Sequence, residues 1–582
     1  MLNSIPVPFQ AILLPLMGAA LVLALGRVLP LWGRQVLAIL SAVASLAVLW
    51  SLGEAAPGRA EILWEPLNLF RMSPVLVPDG LSLAVGMTLA GVTAAAFLGI
   101  RSDPGQGVAW HSLMLVTLAG CLGMTMASNL IALALSSALI DLSLVLFAMA
   151  SHDGREPTDR MPLAVTVPGI ASTLVLLLAA IQMDAEAGHG SLLSRNFSEE
   201  ALVLLGVAAV LRSLVYPLHP RDQHRSGSVI LLLLPVGAGL HLVTRIQSLV
   251  PVLSTQHWLM AIAAVALLAG GLLAWSRGAS LTAGPGPRAA FGGFWVGGLV
   301  QQTGYALVFL LLLTGVSPWP LISLMLALGA LSIWSEGREE TGEADGSRFS
   351  AWLWERLAPW RTRAKSYAGT RLPQMNRWRD VRLGRFVSAF LFVVSVFSLI
   401  GMPFTTGARG RWLLYAALLD NGDWHLLVAL ASDTMLVAGL SVAVGIALKQ
   451  ARERRQRPLT LLASGVLVLA LVLLGLAPGM LSDKLGLPSA EPAHVSVWGL
   501  GLVYVLPWLL GLWLARMSGT LSKYLDRIGA IVDLNWLYRG AGWAGQRLVD
   551  AFHWLGRVGE GEGWWGWALV VLTLGILLLA AR

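Results

Sequence analysis

Apolar runs separated by short polar stretches recur along the chain, at residues 8–30, 35–52, 79–100, 109–127, 130–150, 163–183, 200–217, 228–250, 257–275, 291–314, 317–335, 386–406, 411–448, 459–477, 494–516 and 563–581. About 20 consecutive apolar residues let an α-helix cross the hydrocarbon core of a bilayer. The pattern therefore predicts an all-α polytopic membrane protein with about 16 transmembrane helices. The 411–448 run exceeds one span, and its first residues suit a half-helix. The first run begins close to Met1 with neither a basic leader nor a small-residue cleavage site, so it is expected to be retained as a span.

Two of the runs carry a charge and then interrupt themselves. In VLRSLVYPLHP, residues 210–220, Arg212 sits among apolar neighbours and is followed by Pro217, His219 and Pro220. In GMPFTTGARGRW, residues 401–412, Pro and Gly residues precede Arg411. A permanent charge at bilayer depth is costly and normally faces protein or a wet cavity, with a partner. Proline removes backbone donors, and a broken helix survives in lipid only where protein or water satisfies the released groups. Charge plus break predicts a hydrated half-channel; for Arg212 a structural ion pair, or snorkelling to the interface, remains the alternative. Two such segments in separate parts of the chain point to an internally duplicated fold, with inverted repeats and sites at the broken helices.

The organisation that follows has N-terminal spans at 1–127 and a first repeat at 128–250. A second repeat occupies 257–335 and 386–450, split by a loop at 336–385; C-terminal spans follow at 459–516, then a segment at 517–562 and a terminal span at 563–581. The 336–385 loop opens acidic and continues with Trp352, Trp354, Trp360 and Trp378 among Arg and Lys, which suits an amphipathic segment at the membrane interface. LSKYLDRIGAIVDLNWLYRG and QRLVDAFHWLGRV in 517–562 are amphipathic at helical spacing and suit the membrane surface or a partner subunit.

Composition agrees and narrows the partners. With 582 residues, 56% of them hydrophobic and 12% charged, and a mean hydropathy of +0.72, the chain is not a water-soluble globule. A formal charge of +8 would suit nucleic acid, but the basic residues gather after odd-numbered spans, as in KQARERRQR at 449–457 and in Arg516 to Arg527. By the positive-inside rule these loops are cytoplasmic and both termini face outward, so the charge reports topology and no nucleic-acid partner is expected. Tryptophans near span ends, such as Trp32, Trp50, Trp64, Trp319 and Trp334, suit interfacial belts against the lipid. The single Cys121 excludes a disulfide and a thiolate set for zinc or an iron–sulfur cluster. With no metal motif, nucleophile elbow or phosphate loop, no cofactor and no catalytic chemistry of the chain's own are expected.

Four stretches in order resemble one family, the antiporter-like proton-translocating subunits of respiratory complex I, with their relatives in Mrp cation/proton antiporters and membrane-bound hydrogenases. PDGLS at 78–82 is similar to the opening of that family's third span; RSLVYPLHP resembles its Lys-Ser-x-x-x-Pro-x-His element. VQQTGYALVFL at 300–310 is similar to its Ser-Gln-x-Gly-Tyr helix start, and GMPFTTGARGR resembles its Gly-Ile-Pro-Pro-x-x-Gly-Phe-x-x-Lys element. The ordered set covers roughly residues 8 to 516, and DLNWLYRG at 533–540 is similar to tails of Mrp-like and hydrogenase-linked members. The resemblance implies a multi-pass subunit in a bacterial or archaeal cytoplasmic membrane. It implies other membrane subunits as partners, protons or sodium ions as cargo, and a non-catalytic place in an NADH:quinone oxidoreductase-like or Mrp-like complex.

Departures from the family pattern fall on the residues that matter most. Arg212 and Arg411 stand where the family's seventh and twelfth spans carry Lys (or, in the twelfth, Glu), and a guanidinium with a pKa above about 12 does not relay protons by releasing its own. The family's fifth-span Glu falls on Ala138, with Asp141 one turn on; the eleventh-span Lys falls near Gly329 and the eighth-span His near Leu231. Two pairs remain as candidates, Asp141 with Arg212 and Arg411 with Asp433, and His219 and His241 are the nearby groups that titrate near neutrality. Either Asp141, Asp433, His219 and His241 still carry ions in a field set by the two arginines, or the chain is a degenerate, non-conducting scaffold. For each His a structural role is the competing reading.

Overall fold

The computed structural model describes residues 6–53, 60–61, 74–100, 107–150, 161–187, 199–218, 227–249, 256–280, 318–336, 373–420, 424–453, 457–487 and 497–534, with residues 299, 304, 536, 537, 540, 543, 547 and 550. Met1–Asp526 forms one compact unit and Arg527–Arg582 a second. In chain order the helices are α1 (Val7–Leu25), α2 (Leu31–Leu52), α3 (Gly80–Gly99), α4 (Gly107–Met126), α5 (Leu130–Ala150), α6 (Met161–Ala187), α7 (Glu199–Arg212) and α8 (Gly227–Leu249). They continue as α9 (Gln256–Ser280), α10 (Trp319–Glu336), α11 (Pro373–Ile400), α12 (Thr406–Asp420), α13 (His425–Glu453), α14 (Pro458–Leu476), α15 (Gly479–Leu485) and α16 (Val497–Val532). A two-residue antiparallel ribbon joins β1 (Ala60–Glu61) to β2 (Val75–Leu76). The protein is all-α and multi-pass, and nine helices among the described residues are long and apolar enough to cross a membrane.

Helix α14 shows why the apolar pattern alone hides which face is inside. Its large residues Leu462, Val466, Leu469, Leu473 and Leu476 are exposed, at three- and four-residue spacing, whereas Thr460, Ala463 and Ser464 are buried with Leu467 and Leu471. In lipid no hydrophobic force drives helices together, so small and hydroxyl side chains make the contacts and bulky ones face the tails. Thr460 Oγ1 donates to the Gly99 carbonyl at the end of α3, 3.0 Å away. Buried hydroxyls elsewhere turn back on their own helix, as Thr88 does to Ala84 O and Ser332 to Leu328 O, which satisfies those donors in the low-dielectric interior. Helices α8 and α10 are buried along almost all of their described residues, and α8 packs against α3, α4 and α10.

The structure revises several sequence boundaries. The 200–217 run is a short helix, α7, that ends at Arg212, with Leu214 at φ 49° just beyond. The 386–406 run ends at Ile400, and the 411–448 run is two helices, α12 and α13. The interruption lies at residues 401–405, where Gly401 and Phe404 adopt φ of 91° and 68°, a left-handed conformation that ends a helix. Helix α16 runs through residue 517 and continues as one helix to Val532. At 1.5 Å per residue that is about 54 Å, well beyond one bilayer core. The 336–385 loop closes with the first turns of α11, while its Trp352, Trp354 and Trp360, like the 563–581 run and all of the 291–314 run but residues 299 and 304, lie outside the described residues. The short helix α15 and the β1–β2 ribbon carried no signal in the apolar pattern.

Helices α9 and α13 pack through small residues seven apart on each side. A Cβ on Gly271 would lie 2.7 Å from Ser432 O, and one on Gly439 would lie 2.3 Å from Ala274 O and 2.8 Å from Trp275 N, all backbone atoms that cannot swing aside. Gly439→Val should therefore force the helices apart and destabilise the protein by about 1–3 kcal/mol, the usual cost of overpacking. Gly445→Ala, where nothing lies within 4 Å of the added carbon, should be neutral or slightly stabilising. Thermal unfolding of the detergent-solubilised protein measures both; equal melting temperatures for the two variants would refute the close-packed interface.

Candidate functional site

The first candidate pair forms at the end of the short helix α7. Arg212 and Asp141 are both buried, and Arg212 Nη1 donates to Asp141 Oδ1 at 2.6 Å while Nη2 donates to Oδ2 at 3.1 Å. This is a bidentate pair, the geometry in which a guanidinium binds a carboxylate most strongly. Helix α6 supplies the cradle. Thr173 Oγ1 donates to Asp141 Oδ2 at 2.5 Å, and Arg212 Nη2 also donates to Thr173 Oγ1, to the Gly169 carbonyl and to Ser137 Oγ. A Cβ on Gly169 would lie 2.5 Å from Asp141 Oδ1, so the pair occupies the space that a side chain there would fill. Ala138 is exposed, and Asp141 shares its face with Ser137 one turn earlier rather than with Ala138. The carboxylate is thus reached by a four-residue step, which keeps a face better than the three-residue step from Ala138.

The second pair is built around the interruption between α11 and α12. Ending α11 at Ile400 leaves its last carbonyls without helical partners. Arg411, one turn into α12, donates from Nε and Nη2 to Leu399 O at 3.2 and 2.7 Å, and its Nη1 pairs with Asp433 of α13. Tyr504 of α16 donates to the next exposed carbonyl, Gly401 O. Tyr415, one turn beyond Arg411, donates to the same Asp433 oxygen. Arg411 thus serves two ends, capping a broken helix and neutralising a carboxylate.

The other candidates separate. His241 is buried on α8, where its Nε2 lies 2.9 Å from Thr125 O of α4, and it touches neither pair. His219 lies outside the described residues. Leu231 is buried in the core, and a Cβ on Gly329 would meet Val92 at 3.0 Å, so neither position offers a polar group to a central axis. One ion pair had not been anticipated: Arg245 of α8 to Asp79, the cap of α3, at 2.9 Å. Arg245 is a charge inside the 228–250 run, so the same signal that picked out Arg212 was present there. Tyr415, Thr173 and Gly169 had none, since hydroxyls and glycines are common in spanning helices.

Comparison with solved structures places the fold. The chain matches a chain of the Mrp complex from Dietzia sp. DQ12-45-1b with TM-score 0.68 and 17% identity over 99% of its length, and spans 63% of that chain. It matches a chain of the membrane-bound sulfane sulfur reductase, an archaeal respiratory membrane complex, with TM-score 0.65 and 17% identity over 98% of this chain and 99% of that one. A chain of respiratory complex I from Thermus thermophilus follows, with TM-score 0.60 and 20% identity over 88% of this chain and all of that one. No protein-family model and no curated protein matches the sequence. The chain has the all-α fold of these membrane-complex chains.

The Tyr415 contact is open to a direct check. A hydrogen bond to a charged group contributes about 1.5–3 kcal/mol, so Tyr415→Phe should lower stability by that amount without disturbing the Arg411 contacts to Leu399 O. Urea or thermal unfolding of the purified variant reads this out. A variant as stable as the parent would show that Asp433 does not depend on the phenol.

Proposed function

We propose that the chain is an ion-translocating, antiporter-like subunit of a complex I-related or Mrp-related membrane assembly, carrying protons or sodium ions with Asp141 and Asp433 as the titrating groups. One observation carries the reading: two buried Arg–Asp pairs, one at the end of the short helix α7 and one beside the interruption between α11 and α12, in a fold shared with chains of such complexes. The residue range 128–250 is the first functional repeat and 257–335 with 386–450 the second, each with one pair. In each, the arginine pairs with the carboxylate, and displacement of the arginine by an arriving cation frees the carboxylate to accept it. His241 extends the path beyond the pairs, and His219 is a further relay candidate by its place in the sequence. The energy source lies in partner subunits, because an ion pathway alone drives nothing uphill.

A second reading, a scaffold that conducts nothing, draws on a specific feature of the first pair. Arg212 is held by Asp141, Thr173, Ser137 and the Gly169 carbonyl together, and a guanidinium does not release its proton. The two readings separate in proton-flux measurements on inside-out vesicles containing the native assembly. Asp141→Asn and Asp433→Asn should each abolish flux. Arg212→Lys, which substitutes a group whose pKa burial lowers, should keep or raise it. Parent-like flux in both Asn variants, with assembly intact, would leave the scaffold reading in possession.

A further inference from the structure

Outside the two central pairs, the described residues bring three chemistry-bearing side chains together where α3 begins and α4 and α8 end. Arg245 Nη1 pairs with Asp79 Oδ2, and Arg245 Nη2 donates to Ser82 Oγ at 2.6 Å. His241 lies one turn before Arg245 on α8, so the two share a helix face. Beneath them the chain closes a collar: Val77 N donates to Met126 O and Ser128 N to Val75 O, tying β2 to the end of α4. This satisfies the irregular backbone of that end as burial at membrane depth requires.

Exposure distinguishes this cluster from the central pairs. The Asp79 side chain is 41% exposed and that of Arg245 9%, while His241 is 1% exposed. In the central pairs no side chain exceeds 7%. The three residues thus descend from an open surface to the interior. The His241 ring has a defined tautomer, because a carbonyl only accepts and Thr125 O therefore requires a proton on Nε2. The lone pair is left on Nδ1, which is buried and has no hydrogen-bond partner among the described residues. The charges that act on this ring are those of Arg245 and Asp79. Helix α4 offers it the Thr125 carbonyl, and elsewhere on α8 Gly239 approaches Arg212 and Ser213 at the end of α7 while Gly237 approaches Met325 of α10.

We propose that Asp79, Arg245 and His241 form a proton port, in which the Asp79–Arg245 ion pair gates entry from the aqueous face and His241 Nδ1 is the first internal acceptor. The proposal rests on the conduction reading above and gives it an access point. When the pair parts, a hydronium ion reaches the ring; its O–H bond breaks, an N–H bond forms at Nδ1, and water is left behind while Nε2–H stays on Thr125 O. Return of the proton from Nδ1 to water reverses the step. By the distribution of basic loops, the port faces outward.

The test is covalent labelling of His241 by diethyl pyrocarbonate in sealed membrane vesicles of both orientations containing the native assembly, read by mass spectrometry of the peptide. The port predicts modification in right-side-out vesicles and protection in inside-out ones. Asp79→Asn keeps an N-cap residue for α3 but removes the charge that holds Arg245, and should speed labelling roughly tenfold, the factor given by about 1.4 kcal/mol of lost closure. Exchanging the charges, Asp79→Arg with Arg245→Asp, should return the rate towards the parent's. Equal labelling from both faces, labelling from the basic-loop face alone, no labelling in any variant, or an unchanged rate in Asp79→Asn overturns the port. Labelling does not depend on flux: flux lost in the Asp141 variant with His241 never reached removes the port and keeps conduction, whereas gated labelling in a chain that carries no protons removes conduction and leaves the cluster a gated pocket.

Discussion

A charge inside hydrocarbon has few acceptable arrangements, and the organisation of this protein follows from meeting that constraint twice. An unpaired ion there costs several kcal/mol in lost hydration, and pairing offsets the cost only when the remaining donors and acceptors are also satisfied. At Asp141 and Arg212 the satisfaction comes from three helices. Helix α5 brings Ser137 and the carboxylate, α6 brings Thr173 and the bare backbone of Gly169, and α7 ends where the guanidinium must enter. A side chain at Gly169, or another turn of α7 before its arginine, would not leave that space.

The second pair meets the constraint differently. Arg411 divides its donors between Asp433 and the Leu399 carbonyl released by the interruption of α11. Charge compensation and backbone compensation are joined in one side chain, so the break and the pair stand or fall together. At Arg212 the released backbone and the guanidinium are separate: the carbonyls of Ala209, Leu211 and Val215 accept from Ser213, Leu214 and Leu218, and the arginine turns to neighbouring helices. Two similar sequence elements therefore produce two different local structures.

That difference marks the limit of what the sequence discloses. The membrane class, the helical architecture and both Arg–Asp pairings were legible, because an ionised side chain in an apolar run needs a partner and few carboxylates were available. The end of α7 was less legible, since apolar residues continue past Arg212 through Leu214, Val215 and Tyr216, whereas the division of α12 from α13 coincides with the polar stretch Asp420 to Asp423, which the 411–448 run passed over. The cradle of Thr173 and Gly169 and the phenol of Tyr415 were invisible, because hydroxyl, glycine and tyrosine positions gain meaning only when distant helices meet. Arg245 was visible as a charge, but its partner Asp79 stood in a stretch that had drawn notice only as part of a motif.

The account stands on Asp141 and Arg212 acting as one unit, and a double-mutant cycle on folding stability tests that most directly. Asp141→Asn and Arg212→Gln are measured singly and together in the purified protein. The account predicts a loss of about 3–5 kcal/mol for either single change, which strands a buried charge, and recovery of most of that loss in the double variant. Losses that simply add, with the double variant the least stable of the three, would contradict it.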